Sequence, residues 1–480
     1  MTDARIREHK AIQRYLDEVC EQIRAKEMHE EIRLELTGHL EELAYEKLEL
    51  AGQDDDSLGK NSPTDDAVEE AIGHAITRMG NPQTIGKRLH RVHRPKTDWG
   101  LLALAALLIG IGLMAMYALQ ELADPDNAVS WFPLLSNKLR FVAIGAAVLL
   151  VLYFVDYRKL KTLRWPIYAV AAGLFILARI GPIGIQMNGA YSWIIIGGIA
   201  LDVSAIAPYL FLIAYAGYLA SEKPASASMV GKLREYGKEL GLFFAMPAYL
   251  YLLAPSLVSL AVHFVGASVL LLTRKQGWKR LLFYGTFFFS VLAFVIFAAR
   301  GFTFNGASGS IMYQRWLNYL HLLVGDKSAE PLPSREFIRS AGLWGHGFGR
   351  RLEGLIYPYS ENVVAYLVGS LGWAFGIGLA ALVAAFVYRS VRIANQSMDP
   401  FARLLVIALS SVLAVKLVWT LLMSVGLLPF VSMAMPFIGY SGLQTVIEMA
   451  ALGLLLSAFR RKDSIPLPRR ERIEQAAPQR

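Results

Sequence analysis

From Trp99 onward the chain is a succession of apolar runs, each about twenty residues long, and nothing else in it limits the possible folds so strongly. About twenty residues of α-helix cross the core of a bilayer. Inside that core every backbone N–H and C=O must be paired within the chain, so such runs form helices. Spans are expected at 100–119, 139–156, 165–184, 204–220, 240–254, 256–273, 281–299, 362–388, 403–427 and 438–459. The fold class is therefore all-α, a polytopic membrane protein of about ten transmembrane helices. The composition agrees, since 55% of residues are hydrophobic where soluble domains stay near 45–50%.

Charge sets the expected orientation. Lys and Arg (48) outnumber Asp and Glu (39), a net +9. The basic stretches YRKLKTLR, TRKQGWKR and YRSVRIANQ fall in alternate short loops, and RRKDSIPLPRRER follows the last span. The connections LAPSL and LLPFVSMAMPF carry no Lys or Arg. By the positive-inside rule the basic loops and both termini are cytoplasmic, and the long segment 300–361 lies outside. The excess positive charge is thus a matter of topology and does not point to nucleic acid. A single cysteine, Cys20, excludes a disulfide framework and a cysteine metal site. The polar start MTDARIREHKAIQRYLDEV does not read as a signal peptide.

Residues 1–98 differ in kind from the rest. Ile12, Tyr15, Leu16, Val19 and Ile23 recur at helical spacing, as do Ile32, Leu36, Leu40 and Leu43. After the polar stretch GQDDDSLGKNSPTDD, a third helix, DAVEEAIGHAITRMG, is expected to begin at a Thr64 or Asp65 cap and to end at Gly80. This is a small helical cytoplasmic domain. It resembles the prefix domains of some bacterial permease-like proteins, chiefly through RMGNPQTIGKRL. His74, His90 and His93 lack ligand-spaced partners and read as surface imidazoles. Residues 99–460 form the membrane domain, and 461–480 a basic cytoplasmic tail.

Several short motifs occur in order along the membrane domain: FVDYRKL (154–160), MNGAYSWIIIGG (187–198), GLWGHGFGRRL (342–352) and GLLPFVSMAMPFIGYSGLQ (426–444). With ten spans and one large outer loop before the eighth, the chain resembles the SEDS family (shape, elongation, division and sporulation). That resemblance implies polymerisation of peptidoglycan glycan strands from lipid II at the bacterial cytoplasmic membrane, in cell division and cell shape. A class B penicillin-binding transpeptidase is the implied partner. The backbone-shaping residues of the family motifs are kept, among them Asn188, Trp193 and Pro436, while many polar ones are replaced. The family's glycine triplet matches Gly345, Gly347 and Gly349. Its proposed catalytic aspartate falls at Asn362, with Glu361 just before it. A catalytically impaired paralogue that binds the lipid precursor or the transpeptidase is therefore a second reading, and a lipid-linked precursor transporter a third.

Glycosyl transfer to a sugar hydroxyl needs a general base, and a cation or metal for the departing diphosphate. A carboxylate can take a proton and an amide cannot. Glu361 is thus a candidate base, while Asn362 can only orient a hydroxyl. Ser360, Glu361 and Asn362 also suit a helix start, where they would act as caps. Glycines permit close backbone approach to a ligand, so Gly345, Gly347 and Gly349 with Arg350 and Arg351 could cradle a diphosphate. Trp344 could stack on a sugar or pack in the loop. Arg179, toward the end of span three, could meet an anionic carrier or snorkel to the interface. Lys416 and Glu448 fall near half depth of neighbouring antiparallel spans, and a direct ion pair between them is expected. No cofactor is identifiable, and a divalent cation is allowed without a visible site.

Overall fold

The computed structural model describes residues 6–23, 29–54, 65–92, 97–121, 133–180, 183–187, 190–197, 199–221, 228–254, 256–274, 277–301, 332–348, 355, 357–428 and 430–461. The chain divides into two compact units between Thr97 and Asp98.

The first unit is built from α1 (Lys10–Glu21), α2 (His29–Asp54), α3 (Asp65–Met79) and α4 (Pro82–Val92). The apolar stripe of α1 buries Ile12, Tyr15, Leu16, Val19 and Cys20. It meets Ile32, Leu36, Leu40 and Ala44 of α2 and Val68, Ala71, Ile72 and Ala75 of α3. The RMGNPQTIGKRL motif has a local cause at each key position. Gly80 ends α3 at φ +96°, a conformation that suits glycine. The Asn81 side chain accepts from the N–H of Gln83 at 2.9 Å, and Pro82 occupies the first turn. A Cβ on Gly86 would stand 2.7 Å from the carbonyl oxygen of Val19, so glycine lets α4 lie against the end of α1.

The second unit carries ten helical stretches at the ten expected spans among the described residues. Five are long and apolar enough to cross a membrane: α5 (Trp99–Glu121), α6 (Leu134–Phe154), α15 (Val363–Gln396), α16 (Pro400–Ser424) and α17 (Leu443–Arg460). α8 (Arg164–Leu177), α9 (Val203–Leu219) and α12 (Leu257–Leu272) are shorter apolar helices. α7 (Arg158–Thr162) is a single turn before α8. α10 (Met229–Leu240) runs through a π-helical turn, Gly241–Ala245, into α11 (Met246–Leu253), and α13 (Gly277–Gly301) follows α12. A short α14 (Leu332–Ser340) precedes α15.

The third span is shorter than expected. α8 stops at Leu177, and the chain enters a three-stranded antiparallel sheet in the order β1 (Gly184–Met187), β2 (Ala190–Ile196) and β3 (Ile199–Asp202). Gly184↔Ile194 and Trp193↔Asp202 set its register. The sequence does carry hairpin signals, Asn-Gly at 188–189 and Gly-Gly at 197–198, which a search for apolar spans passes over. The side chains of Tyr, Trp and Ile also favour the pleated surface. The last span is also delayed. Phe437 takes φ +65° and Gly442 φ +53°, so α17 begins at Leu443 and not near 438.

Buried polar side chains repair the irregular backbone. The π-helical turn leaves carbonyls outside the α-helical ladder. The Tyr168 hydroxyl donates to the Leu242 carbonyl at 2.7 Å, and His263 Nε2 lies 2.9 Å from the Phe243 carbonyl oxygen. Just before that turn, buried Glu239 accepts from Tyr215, Tyr284 and Arg280 at 2.6, 2.8 and 2.8 Å. Lys138 Nζ donates to the Gly439 carbonyl at 2.7 Å, pinning the turn ahead of α17. Glu448 accepts from the Phe437 N–H and from Gln444 Nε2, each at 3.0 Å. The expected ion pair is therefore not made: one Glu448 oxygen is taken by the turn around buried Pro436 and the other by Gln444 of α17, and Lys416 Nζ has no hydrogen-bond partner.

The eighth span is broken. Gly372 sits at φ +86°, ψ 175° inside α15. The glycine stretch 342–347 is laced to that break: the N–H groups of His346 and Gly347 donate to the carbonyls of Gly369 and Ser370 at 3.0 and 2.9 Å. In return Trp373 and Ala374 donate to the carbonyls of Gly342 and Leu343 at 3.0 and 3.2 Å. The broken helix thus pairs its freed backbone with the loop.

Candidate functional site

A cavity of about 660 Å³ lies where α6, α9, α12, α15 and α17 begin and in the second half of α16. The hairpin β2–β3 closes one side, contributing Ser192, Trp193 and Asp202. The turn before α17 contributes Tyr440 and Ser441, and α17 itself Gln444. Three ionisable acid and base side chains, Asp202, Glu361 and Lys416, face the space among the described lining.

Glu361 stands two residues before α15. Its Oε1 accepts from Ser432 Oγ at 2.7 Å, while Oε2 is enclosed and has no protein partner. One carboxylate oxygen is thus held, while the lone pairs of the other meet no protein donor. Asn362 does not share the cavity. Its side chain is 2% exposed and absent from the lining, and its carbonyl accepts from the Tyr366 N–H as α15 begins. The expected capping is corrected as well. Asn362 occupies the cap position at φ −99°, ψ 18°, outside the extended geometry of a cap, and makes no side-chain cap bond.

Asp202 caps α9. Its Oδ1 accepts from both the N–H and the hydroxyl of Ser204, at 2.9 and 2.8 Å. Burial pushes its carboxyl above the usual carboxylate range, opposed by hydrogen bonds from Ser204 and Ser192 and by the charge of Lys416. The acid-x-serine pattern before an apolar run is a helix-start signal, but it says nothing about facing a cavity. Tyr440, beside Glu361 in the lining, is held as a neutral phenol because burial raises its pKa.

The other candidate residues have different surroundings. Gly345 is pressed against a helix: a Cβ there would come 2.2 Å from the Ser370 carbonyl oxygen. Gly347 donates to that same carbonyl. Trp344 is 82% exposed and outside the lining. Arg179 donates to the Leu253 carbonyl at 2.7 Å and lies over the Tyr191 ring, so it ties the hairpin to the end of α11 and does not line the cavity. Asn188, Gly349, Arg350 and Arg351 lie outside the described residues. Among the described residues no three His, Cys, Asp or Glu side chains cluster closely enough to hold a metal ion.

The comparisons with known proteins agree with this architecture. Residues 98–464 match the model of the FtsW/RodA/SpoVE family, described as cell cycle protein. Stage V sporulation protein E of Bacillus subtilis (strain 168) is 23% identical over 370 residues, covering 76% of this chain and 97% of the relative. The probable peptidoglycan glycosyltransferase FtsW of Thioalkalivibrio sp. (strain K90mix) is 28% identical over 385 residues, covering 78% and 92%. Among solved structures, a chain of a peptidoglycan synthase complex superposes with a TM-score of 0.60 at 21% identity, covering 77% of this chain and 99% of that one. The Thermus thermophilus rod shape determining protein RodA superposes at 0.53 and 20% identity, covering 76% and 97%. The match spans the second unit, its ten helical stretches and the cavity, and the chain belongs to the FtsW/RodA/SpoVE family, the SEDS proteins.

Proposed function

We propose that the protein polymerises peptidoglycan glycan from lipid II on the outer face of the bacterial cytoplasmic membrane, with both termini cytoplasmic and a class B penicillin-binding transpeptidase as partner. One observation carries the reading: the Glu361 carboxylate faces a cavity of about 660 Å³ with one oxygen unpartnered. Relatives named as probable peptidoglycan glycosyltransferases support the activity. The fold shared with a chain of a peptidoglycan synthase complex supports the partnership. The basic loops support the orientation.

The chemistry follows from the site. Glu361 Oε2 accepts the proton of the acceptor sugar hydroxyl. The hydroxyl oxygen attacks the anomeric carbon of the donor and forms the glycosidic bond, and the bond from this carbon to the diphosphate oxygen breaks. The electron pair leaves with the polyprenyl diphosphate. Ser432 holds the other carboxylate oxygen, so the base is aimed before substrate arrives. A glutamate one position before the family's aspartate thus takes its duty, made possible because the backbone is not yet helical at residue 361.

The test is polymerisation of labelled lipid II by the full chain in vesicles, with and without the transpeptidase. Wild type yields polymer, and Glu361→Gln lowers the rate by at least about a hundredfold. Wild type that binds lipid II without making polymer would establish a precursor-binding regulator. Translocation without polymer would establish a transporter.

A further inference from the structure

Lys416 is a buried ammonium with no hydrogen bond. It lies within α16, 4% exposed, its Nζ fully enclosed and unpartnered. The Tyr209 ring lies beneath it, 5.4 Å from Nζ to the ring centre. The acids whose fields reach it are Glu448 and Asp202. Both are otherwise engaged, Glu448 by the Phe437 N–H and Gln444 and Asp202 by Ser204. Lys138 lies within the field of Glu448 too and offsets it. An enclosed ammonium of this kind is costly inside a membrane protein, and such residues mark ligand or ion sites.

The cavity places this cation apart from the base. Glu361 precedes α15 at the end where α16 finishes. Lys416 is about 12 Å back along α16 from its last residue, Ser424. Apolar side chains, among them Ile206, Val262 and Ile447, line the same space.

We propose that Lys416 is the anion subsite of the cavity, taking the diphosphate of a polyprenyl-linked sugar donor and of the polyprenyl diphosphate released from it. This rests on the glycosyl-transfer reading above. When the bond from the anomeric carbon to the diphosphate breaks, the electron pair stays on the diphosphate oxygen. The ammonium faces that added charge while the hydroxyl proton goes to Glu361. No further reactant is needed. The apolar walls take the hydrocarbon next to the diphosphate.

Farnesyl diphosphate is the probe and farnesol its uncharged counterpart, each titrated into the full chain in detergent micelles by calorimetry and thermal melting. Wild type binds farnesyl diphosphate, which raises the melting temperature, and inorganic pyrophosphate competes. Lys416→Met weakens farnesyl diphosphate at least about tenfold and leaves the farnesol response unchanged. Lys416→Gln does the same should the methionine variant not fold, and Lys416→Arg keeps most of the binding. Glu361→Gln, which removes a negative charge from the cavity, still binds farnesyl diphosphate, and no more weakly than wild type, so a polymerisation failure and a binding failure are separable. Wild type that ignores farnesyl diphosphate, or Lys416→Met and Lys416→Gln that bind it undiminished, would overturn the subsite. An active Glu361→Gln overturns the assigned base and leaves the subsite standing.

Discussion

One residue separates Glu361 from Asn362, and their surroundings are opposite. The carboxylate lines the cavity, and the amide is packed away beneath the start of α15. Restoring an aspartate at the family position should therefore fail as a repair. Asn362→Asp buries a carboxyl group away from the substrate, so the polymerisation rate does not rise and stability falls by about 1–3 kcal/mol, read by thermal melting. Ser432→Ala frees the aimed carboxylate, and a loss of about tenfold in polymerisation rate is expected. Position 361 could be singled out in the sequence, because the family resemblance sets an acid next to the position it implies for the aspartate. Its direction was not, since neighbouring residues differ by about 100° only once a helix is regular. Asp202 was legible as a cap and not as a cavity wall, because turn dipeptides mark a hairpin without saying what it packs against. Lys416 was legible as an anomaly, and its partner was misjudged. Depth matched Glu448, but that carboxylate is shared between Gln444, one helical turn away, and a turn whose backbone geometry the sequence does not reveal.

At the scale of elements, the ten helical stretches were largely readable from hydropathy, because lipid leaves helices as the main solution. Departures from regular helix were not, and each of those described above is held by a specific polar contact. The clasp between 342–347 and the break in α15 depends on Gly345, which has φ +75° and no room for a side chain. Gly345→Ala should cost roughly 2–4 kcal/mol, measured as a lowered melting temperature, and should reduce polymerisation by loosening the start of α15. The π-helical turn depends on Tyr168 in the same way. Tyr168→Phe leaves the Leu242 carbonyl short of its donor and should cost about 1–2 kcal/mol by the same measurement. The close approach at Gly345 was legible in the glycine motif, but its partner, the backbone at the break in α15, was not, because glycines signal close approach without saying to what.

At the scale of the whole molecule the chain comprises two units, and the family match begins at residue 98. The only cysteine in the chain, Cys20, lies in the core of the first unit, where burial raises its thiol pKa. Maleimide should therefore label it slowly at neutral pH, at a rate set by opening of that unit. Gly86→Val, which forces α4 away from α1, should speed labelling by an order of magnitude or more while glycan polymerisation by the second unit persists. The break at Gly372 has a consequence for the second unit in a real membrane. It divides the eighth span into a short piece that follows Glu361 and a longer piece, Trp373–Gln396, whose apolar part, about 24 Å long, completes the crossing. A thinner or thicker bilayer is met by tilting the long piece, while the short one stays stitched to the loop. The proton-accepting group is in this way insulated from changes in lipid composition that reorient the helix below it.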